Sequence, residues 1–384
     1  MKMAQNQSKK VHTIQKNSAP VTALSGAALA GLPEVLLPWY DRERRDLPWR
    51  NIVTPYRTWV SEIMLQQTRV QAVLPYFQRF MEAAPDVAAL AELPEERLLS
   101  LWQGLGYYSR ARNLQKAARI MAERYGGCLP DTYKQLIELP GIGDYTAGAI
   151  LSIAFGQAVP SVDGNVLRIA ARLTACRENV LDTRTHQWIR EALAAVMPAD
   201  RPGDLNQALM DLGAGICLPK NPDCGSCPAA TLCAARAARI QNELPVREKR
   251  GEKPTIKRTV FLLTDGEGRT ALRRRPDKGL LAGLWEYPNV EGELTESLAA
   301  QQLAAWKLTP KAWESRFSDK HIFTHQIWDM VIYRITVSGE GTAEMTWVSP
   351  AERADYPMPT AFSKLGQQRG KRKKGADNSK NKGE

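Results

Sequence analysis

Across residues 36–235 apolar positions recur three and four residues apart and strict alternation is missing, so this half of the chain reads as helices joined by short loops. In residues 55–64 the apolar stripe is Trp59, Val60, Ile63 and Met64; residues 110–125 form another helix, closed by Gly126 and Gly127. Residues 237–257 break the pattern. They are charged, carry Pro245 and Pro254 around the run Arg-Glu-Lys-Arg-Gly-Glu-Lys, and read as an interdomain linker. The period then shortens: Thr259-Val-Phe-Leu-Leu-Thr264, a turn at residues 265–268 and Thr270-Ala-Leu predict a hairpin. Further strands are expected over 322–325, 330–337 and 344–348, with a helix over 298–306. The fold class is therefore multidomain: an all-α domain over 34–236 and an α+β domain over 258–365. Residues 1–33 and a basic tail at 366–384 are expected to be disordered.

With 384 residues, 43% of them apolar, the chain can build two ordinary cores. The net charge of +11 favours a polyanionic partner, nucleic acid or an anionic membrane, although solvated lysine tails contribute to it. No apolar run reaches the roughly 18 residues of a bilayer span, so a soluble, cytoplasmic protein without a membrane partner is expected. Residues 1–33 contain no acid, and four lysines precede a weakly apolar stretch, which leaves organelle targeting open.

Four of the six cysteines crowd into Cys217-x6-Cys224-x2-Cys227-x5-Cys233, with Pro219, Pro222, Asp223 and Gly225 between them. Thiols at this spacing can wrap a metal centre, and such a site argues for a reducing compartment. Tetrahedral zinc and an iron-sulfur cube both suit four thiolates, and spacing does not separate them. Upstream, Leu139-Pro-Gly-Ile-Gly-Asp-Tyr-Thr-Ala-Gly-Ala-Ile150 sets Gly141 and Gly143 between two helical runs. That is the outline of a helix-hairpin-helix clamp on a phosphate backbone, or of a plain helix corner. In Val162-Asp-Gly-Asn-Val166 the carboxylate of Asp163 can cap the helix that follows. Glu62 stands among bulky apolar residues, where partial desolvation would favour a protonated carboxyl and suit a general acid.

Taken together, Ser61-Glu-Ile-Met-Leu-Gln-Gln-Thr68, Gly104-Leu-Gly-Tyr-Tyr108, the Leu139 hairpin, Val162-Asp-Gly-Asn165, Asn206-Gln-Ala-Leu-Met-Asp-Leu-Gly213 and the four cysteines closely resemble the MutY family of adenine DNA glycosylases, over residues 36–233. The resemblance implies a [4Fe-4S] cluster on Cys217, Cys224, Cys227 and Cys233. It implies that Glu62 protonates N7 of a flipped-out adenine and that Asp163 stabilises the sugar cation, supported by Tyr145 and Asn165. Arg45, Trp49, Leu65 and Gln207 match the base pocket. Gln67, Thr68 and Tyr107 match residues that fill the gap and meet the opposite base, and Arg50, Gly141 and Gly143 belong to the DNA-binding set. Glycosylases of the endonuclease III type place a Schiff-base lysine where this chain has Tyr145, so hydrolysis without lyase chemistry is implied.

The second domain resembles the family's Nudix-like module through Gly279-Leu-Leu-Ala-Gly-Leu-Trp-Glu-Tyr-Pro288, and Phe323-Thr324-His325 matches its 8-oxoguanine recognition loop with threonine in place of serine. Acids near 291–296 lack the arrangement of a working pyrophosphatase helix, which argues against nucleotide hydrolysis. The implied partner is duplex DNA with A:8-oxoguanine or A:G mispairs, bound by a monomer at the nucleoid. Two alternatives remain at this point: a bifunctional endonuclease III-like glycosylase and a non-catalytic iron-sulfur redox sensor on DNA.

Overall fold

The computed structural model describes residues 27–248 and 251–367. The chain divides into two compact units, Met1–Asp46 with Asp144–Glu248 and Leu47–Gly143 with Lys249–Glu384.

The described part of the first unit is helical. Its main helices are Leu32–Glu43, Asp144–Ala154, Gly164–Leu173, Thr183–Ala194 and Pro202–Gly215. Asp163 and Asp182 cap two of them through their carboxylates, and Pro202 sits in a first turn where its missing N–H costs nothing. Leu36, Tyr40, Ile169, Leu173, Leu209 and Leu212 bury together in its core, each such side chain contributing about 1.5–3 kcal/mol.

The second unit joins the helices Pro55–Leu65, Val70–Ala83, Glu95–Trp102 and Ser109–Arg124 with a seven-stranded mixed sheet. Its strands are β1 Thr255–Thr264, β2 Thr270–Arg274, β3 Trp285–Glu286, β4 Asn289–Glu291, β5 Thr309–Ile322, β6 Ile327–Ser338 and β7 Met345–Val348. The order is β3-β2-β1-β6-β5, with β4 paired to β1 and β7 to β2; β1 and β6 run parallel. Successive β1 residues serve opposite faces, Val260 and Leu262 packing with Trp328, Met330 and Phe362, Phe261 and Leu263 with Ala299 and Leu303 of the Glu296–Ala305 helix. Both faces of the central strands are covered, as a parallel pair requires.

Several expectations change. Residues 1–26 and 368–384 lie outside the described residues. The disorder expected as far as residue 33 fails at its end, where Ala27–Ala30 and Leu32–Glu43 are helical because Leu29, Leu32 and Leu36 enter the core. The linker starts later than residue 237: Leu244 is buried, its carbonyl accepts from Arg172 Nε at 3.1 Å, and Val246 O accepts from Val180 N at 3.2 Å. It also ends earlier, since β1 begins at Thr255. The strand expected over 322–325 is a tight turn, closed by Phe323 N donating to Gln326 O at 2.8 Å. The strand before it, β5, escaped notice because an edge strand exposes polar residues at every second position.

Candidate active site and DNA-contact residues

Glu62 lies on the Pro55–Leu65 helix, which Thr54 caps by accepting from Arg57 N at 3.1 Å. Trp59, Val60, Ile63 and Met64 bury the stripe, and Glu62 itself is only 4% exposed. Burial of that carboxyl, inferred from its apolar flanks, is thus observed. Leu65 and Thr68 are half-buried and Gln67 is exposed. Trp49 packs edge-on against Phe77, ring centroids 5.2 Å apart, as a core residue does. Arg50 is half-buried.

Where this helix ends, Gln67 takes a left-handed φ of 56°. The Gly104–Tyr108 turn does the same at Tyr107, with φ of 50°, just after Gly104 and Gly106 at 97° and 77°. Arg110 connects the two turns. Its Nη1 donates to Ile63 O, Met64 O and Gln66 O at 2.7, 2.9 and 2.6 Å, and its Nη2 to Thr68 Oγ1, Leu105 O and Gly106 O at 3.3, 3.4 and 3.2 Å. Burial lowers the Arg110 pKa to about 10, which still leaves it charged at neutral pH. Sequence reading missed Arg110, because an arginine on a helix ordinarily faces water. Tyr107 is 45% exposed, and its hydroxyl shares a hydrogen bond with Thr324 Oγ1 at 3.1 Å. The loop carrying Phe323, Thr324 and His325 therefore meets the glycine turn within one unit. Phe323 anchors that loop, 4.7 Å from the buried Trp328 ring and 4.5 Å from His321, while Thr324 and His325 are exposed.

Asp163 and the cysteine loop belong to the other unit. Asp163 Oδ1 accepts from Asn165 N and Val166 N, and Oδ2 from Asn165 Nδ2, all at 2.8 Å. It caps its helix, and the carboxylate is held in one orientation. Asn165 Oδ1 accepts from Arg168 Nη2 at 3.0 Å, and Arg168 Nε reaches Cys217 O at 2.8 Å, so a polar chain runs from Asp163 to the cysteine loop. The segment before Asp163 is pinned by Asn206, whose Nδ2 donates to Val159 O at 2.9 Å and whose Oδ1 accepts from Ser161 N at 3.0 Å. Gly148 lets this segment lie against the Asp144–Ala154 helix, since a Cβ there would come 2.5 Å from Pro160 O. Tyr145 has its hydroxyl 4.0 Å from Met210 Sδ, and its carbonyl accepts from Ser161 Oγ at 3.1 Å. Gln207 is buried, and Arg45 Nε binds the buried Asp211 Oδ1 at 2.7 Å, a partner that sequence reading did not assign. In the hairpin, Gly141 has a φ of 83°, a conformation that favours glycine, and it precedes the Asp144–Ala154 helix.

Cys217, Cys224, Cys227 and Cys233 line one pocket with Ile169, Leu212 and Ile216, and none is in a disulfide. Arg172 Nη1 donates to Cys217 Sγ at 3.3 Å and also to Leu218 O at 2.7 Å. Burial pushes the Cys227 thiol up to about 11 and raises Cys233 as well. Among the described residues no group of three or more His, Cys, Asp or Glu side chains is spaced to hold a single metal ion, and no helix is long and apolar enough to cross a membrane.

A helical domain with a hairpin and a cysteine loop, joined to a mixed sheet, defines a two-module class. Residues 60–196 match the HhH-GPD superfamily of base excision DNA repair proteins, and residues 259–368 match the NUDIX domain. The chain is 36% identical over 398 residues to the adenine DNA glycosylase of Homo sapiens, covering 88% of this chain and 71% of that one. It is 37% identical over 339 residues to the adenine DNA glycosylase of Buchnera aphidicola subsp. Baizongia pistaciae, covering 86% and 95%. Among solved structures, a thermostable thymine-DNA glycosylase matches with a TM-score of 0.50 at 27% identity, over 55% of this chain and 97% of that one. The chain belongs to the adenine DNA glycosylase family. The family resemblance and the two-module fold class read from the sequence are borne out.

Proposed function

We propose that this chain removes adenine mispaired with 8-oxoguanine or guanine from duplex DNA, by hydrolysis of the N-glycosidic bond, leaving an abasic site. Adenine leaves readily only when protonated, while positive charge develops on the sugar. Glu62, held out of water, is the group to deliver a proton to N7 and then to handle the attacking water. Asp163, oriented by three N–H donors, offsets the charge of the oxocarbenium ion, a division of labour between carboxylates familiar from glycoside hydrolysis. Tyr145 and Asn165 support the site. The target base must leave the stack first; Arg45, Trp49, Leu65 and Gln207 receive it, while Gln67, Thr68 and Tyr107 take up the space it leaves. Arg50, Gly141 and Gly143 meet the backbone, and Phe323, Thr324 and His325 read the opposite base. With Tyr145 in place of a lysine there is no amine for imine chemistry.

The observation that carries the reading of the opposite strand is the 3.1 Å bond between Tyr107 and Thr324, because it ties a wedge residue to the recognition loop. The cysteines fit a [4Fe-4S] cluster: four unpaired thiols in a pocket with apolar walls, beside two buried arginines that offset thiolate charge. Bound there, the cluster would brace the loop that Arg168 links to Asn165 and Asp163.

The test compares A:8-oxoguanine, A:G and thymine-glycol duplexes, each with and without alkali. Adenine should be released from the first two, with strand breaks only after alkali; attack on thymine glycol or a borohydride-trapped imine would overturn the proposal. Glu62→Gln should bind duplex normally and lose roughly 10²–10⁴-fold in excision rate.

A further inference from the structure

We infer that Arg110 is a positioning residue that sets the two intercalating turns, at Gln67 and at Tyr107, as one rigid unit; this rests on the proposed reading of those residues as DNA contacts. A guanidinium is a planar fork, and here one terminal nitrogen holds the end of the Glu62 helix while the other reaches both Thr68 and the glycine turn. Nη1 gathers the carbonyls at the end of the Glu62 helix, Ile63 O, Met64 O and Gln66 O, where a cation is also favoured by the helix dipole. Nη2 gathers Thr68 Oγ1 and the glycine-turn carbonyls Leu105 O and Gly106 O. Two of these acceptors, Gln66 O and Gly106 O, belong to the peptide bonds that immediately precede Gln67 and Tyr107. Those are the two non-glycine residues with positive φ in these turns, 56° and 50°. A left-handed conformation is strained for any residue with a Cβ. Holding the preceding carbonyl fixes the orientation of that peptide, and one side chain does so for both.

The side chain is itself confined. Arg110 is 8% exposed, and its guanidinium lies over the Trp102 ring at 5.5 Å and the Tyr107 ring at 5.3 Å. Gln67 and Tyr107, in contrast, are exposed. The arrangement is a buried cation presenting two outward residues at fixed separation, and it starts from the helix that carries Glu62. A lysine would keep the charge but, with a single nitrogen, could not span both carbonyl sets.

The experiment uses the full-length, cluster-loaded chain with Arg110→Lys, and Arg119→Lys on the same helix as control. A duplex carrying 2-aminopurine beside the mispaired adenine reports unstacking. Arg110→Lys should weaken the fluorescence rise on binding and slow single-turnover adenine release by about 10–100-fold, with melting temperature and visible absorption close to those of the unmodified protein. Arg119→Lys should change neither signal. An unstacking signal and a rate equal to the unmodified protein's in Arg110→Lys would overturn the inference. Should that variant not fold, hydrogen exchange on the unmodified chain decides: residues 66–68 and 105–107 should open together and be protected together by DNA, and independent opening would overturn it. If the unmodified protein itself leaves adenine in place, the functional reading fails, and the exchange result still judges Arg110 separately.

Discussion

Gly148→Ala adds one methyl group, and its consequence can be worked out from contacts. The new Cβ would lie 2.5 Å from Pro160 O, 3.1 Å from Pro160 C and 3.3 Å from Ser161 Cα. Carbon and oxygen approach to about 3.3 Å, so the Pro160 carbonyl must retreat by roughly 0.8 Å. The obstacle is backbone and cannot swing aside as a side chain would. Asn206 holds the same segment at Val159 O and Ser161 N, and Ser161 Oγ is bonded to Tyr145 O. The displacement therefore passes to Asp163, three residues on. Overpacking of this kind costs about 1–3 kcal/mol, and the better helix propensity of alanine returns up to about 1 kcal/mol. Stability should fall modestly, while a carboxylate moved by most of an ångström should slow the chemical step by about 10–100-fold. The assay is single-turnover adenine release from an A:8-oxoguanine duplex with enzyme in excess, read beside thermal unfolding. Gly215→Ala, where nothing lies within 4 Å of the added Cβ, is the control and should be neutral. An unchanged release rate in Gly148→Ala would refute the reasoning that this close approach seats Asp163.

Other outcomes follow from the same geometry. Asp163→Asn keeps a capping oxygen and should melt near the unmodified protein, whereas Asp163→Ala should lose about 0.5–2 kcal/mol; both should lose excision, and an active Asp163→Asn would reduce this residue to a cap. Thr324→Val removes the hydroxyl that meets Tyr107, an exposed bond worth at most about 1.5 kcal/mol, so the preference for 8-oxoguanine over guanine should fall by no more than about tenfold. Thr324→Ser should retain that preference. Cys227→Ser should lower iron content, visible absorption and melting temperature together; one zinc per chain in the purified unmodified protein would replace the cofactor assignment.

Much of the helical half and of its chemistry was legible along the chain. The Pro55–Leu65 stripe, the β1–β2 hairpin and the burial of Glu62 follow from local periodicity, and the structure places all three as expected. The end of β5 was misread. Its residues alternate between exposed and half-buried, a pattern too weak to stand out without sight of β6. Arg110, Asn206 and Asp211 were not assigned roles, because a polar residue within a helix carries no local sign of where its partner lies. The acceptors of Arg110 at Ile63 are 47 positions away, and Arg45 is 166 from Asp211.

By itself the sequence determined which residues could do chemistry: two carboxylates in distinct settings and four thiols in one short loop. It also determined which segments would be helix and where the period of the chain changes. Tertiary structure alone decided how those groups are held. A buried arginine needs carbonyls from remote turns, and a glycine reveals its close approach only once the neighbouring backbone is in place. Apolar periodicity is a short-range property of the chain, whereas satisfaction of buried polar groups and steric fit depend on segments that meet only on folding.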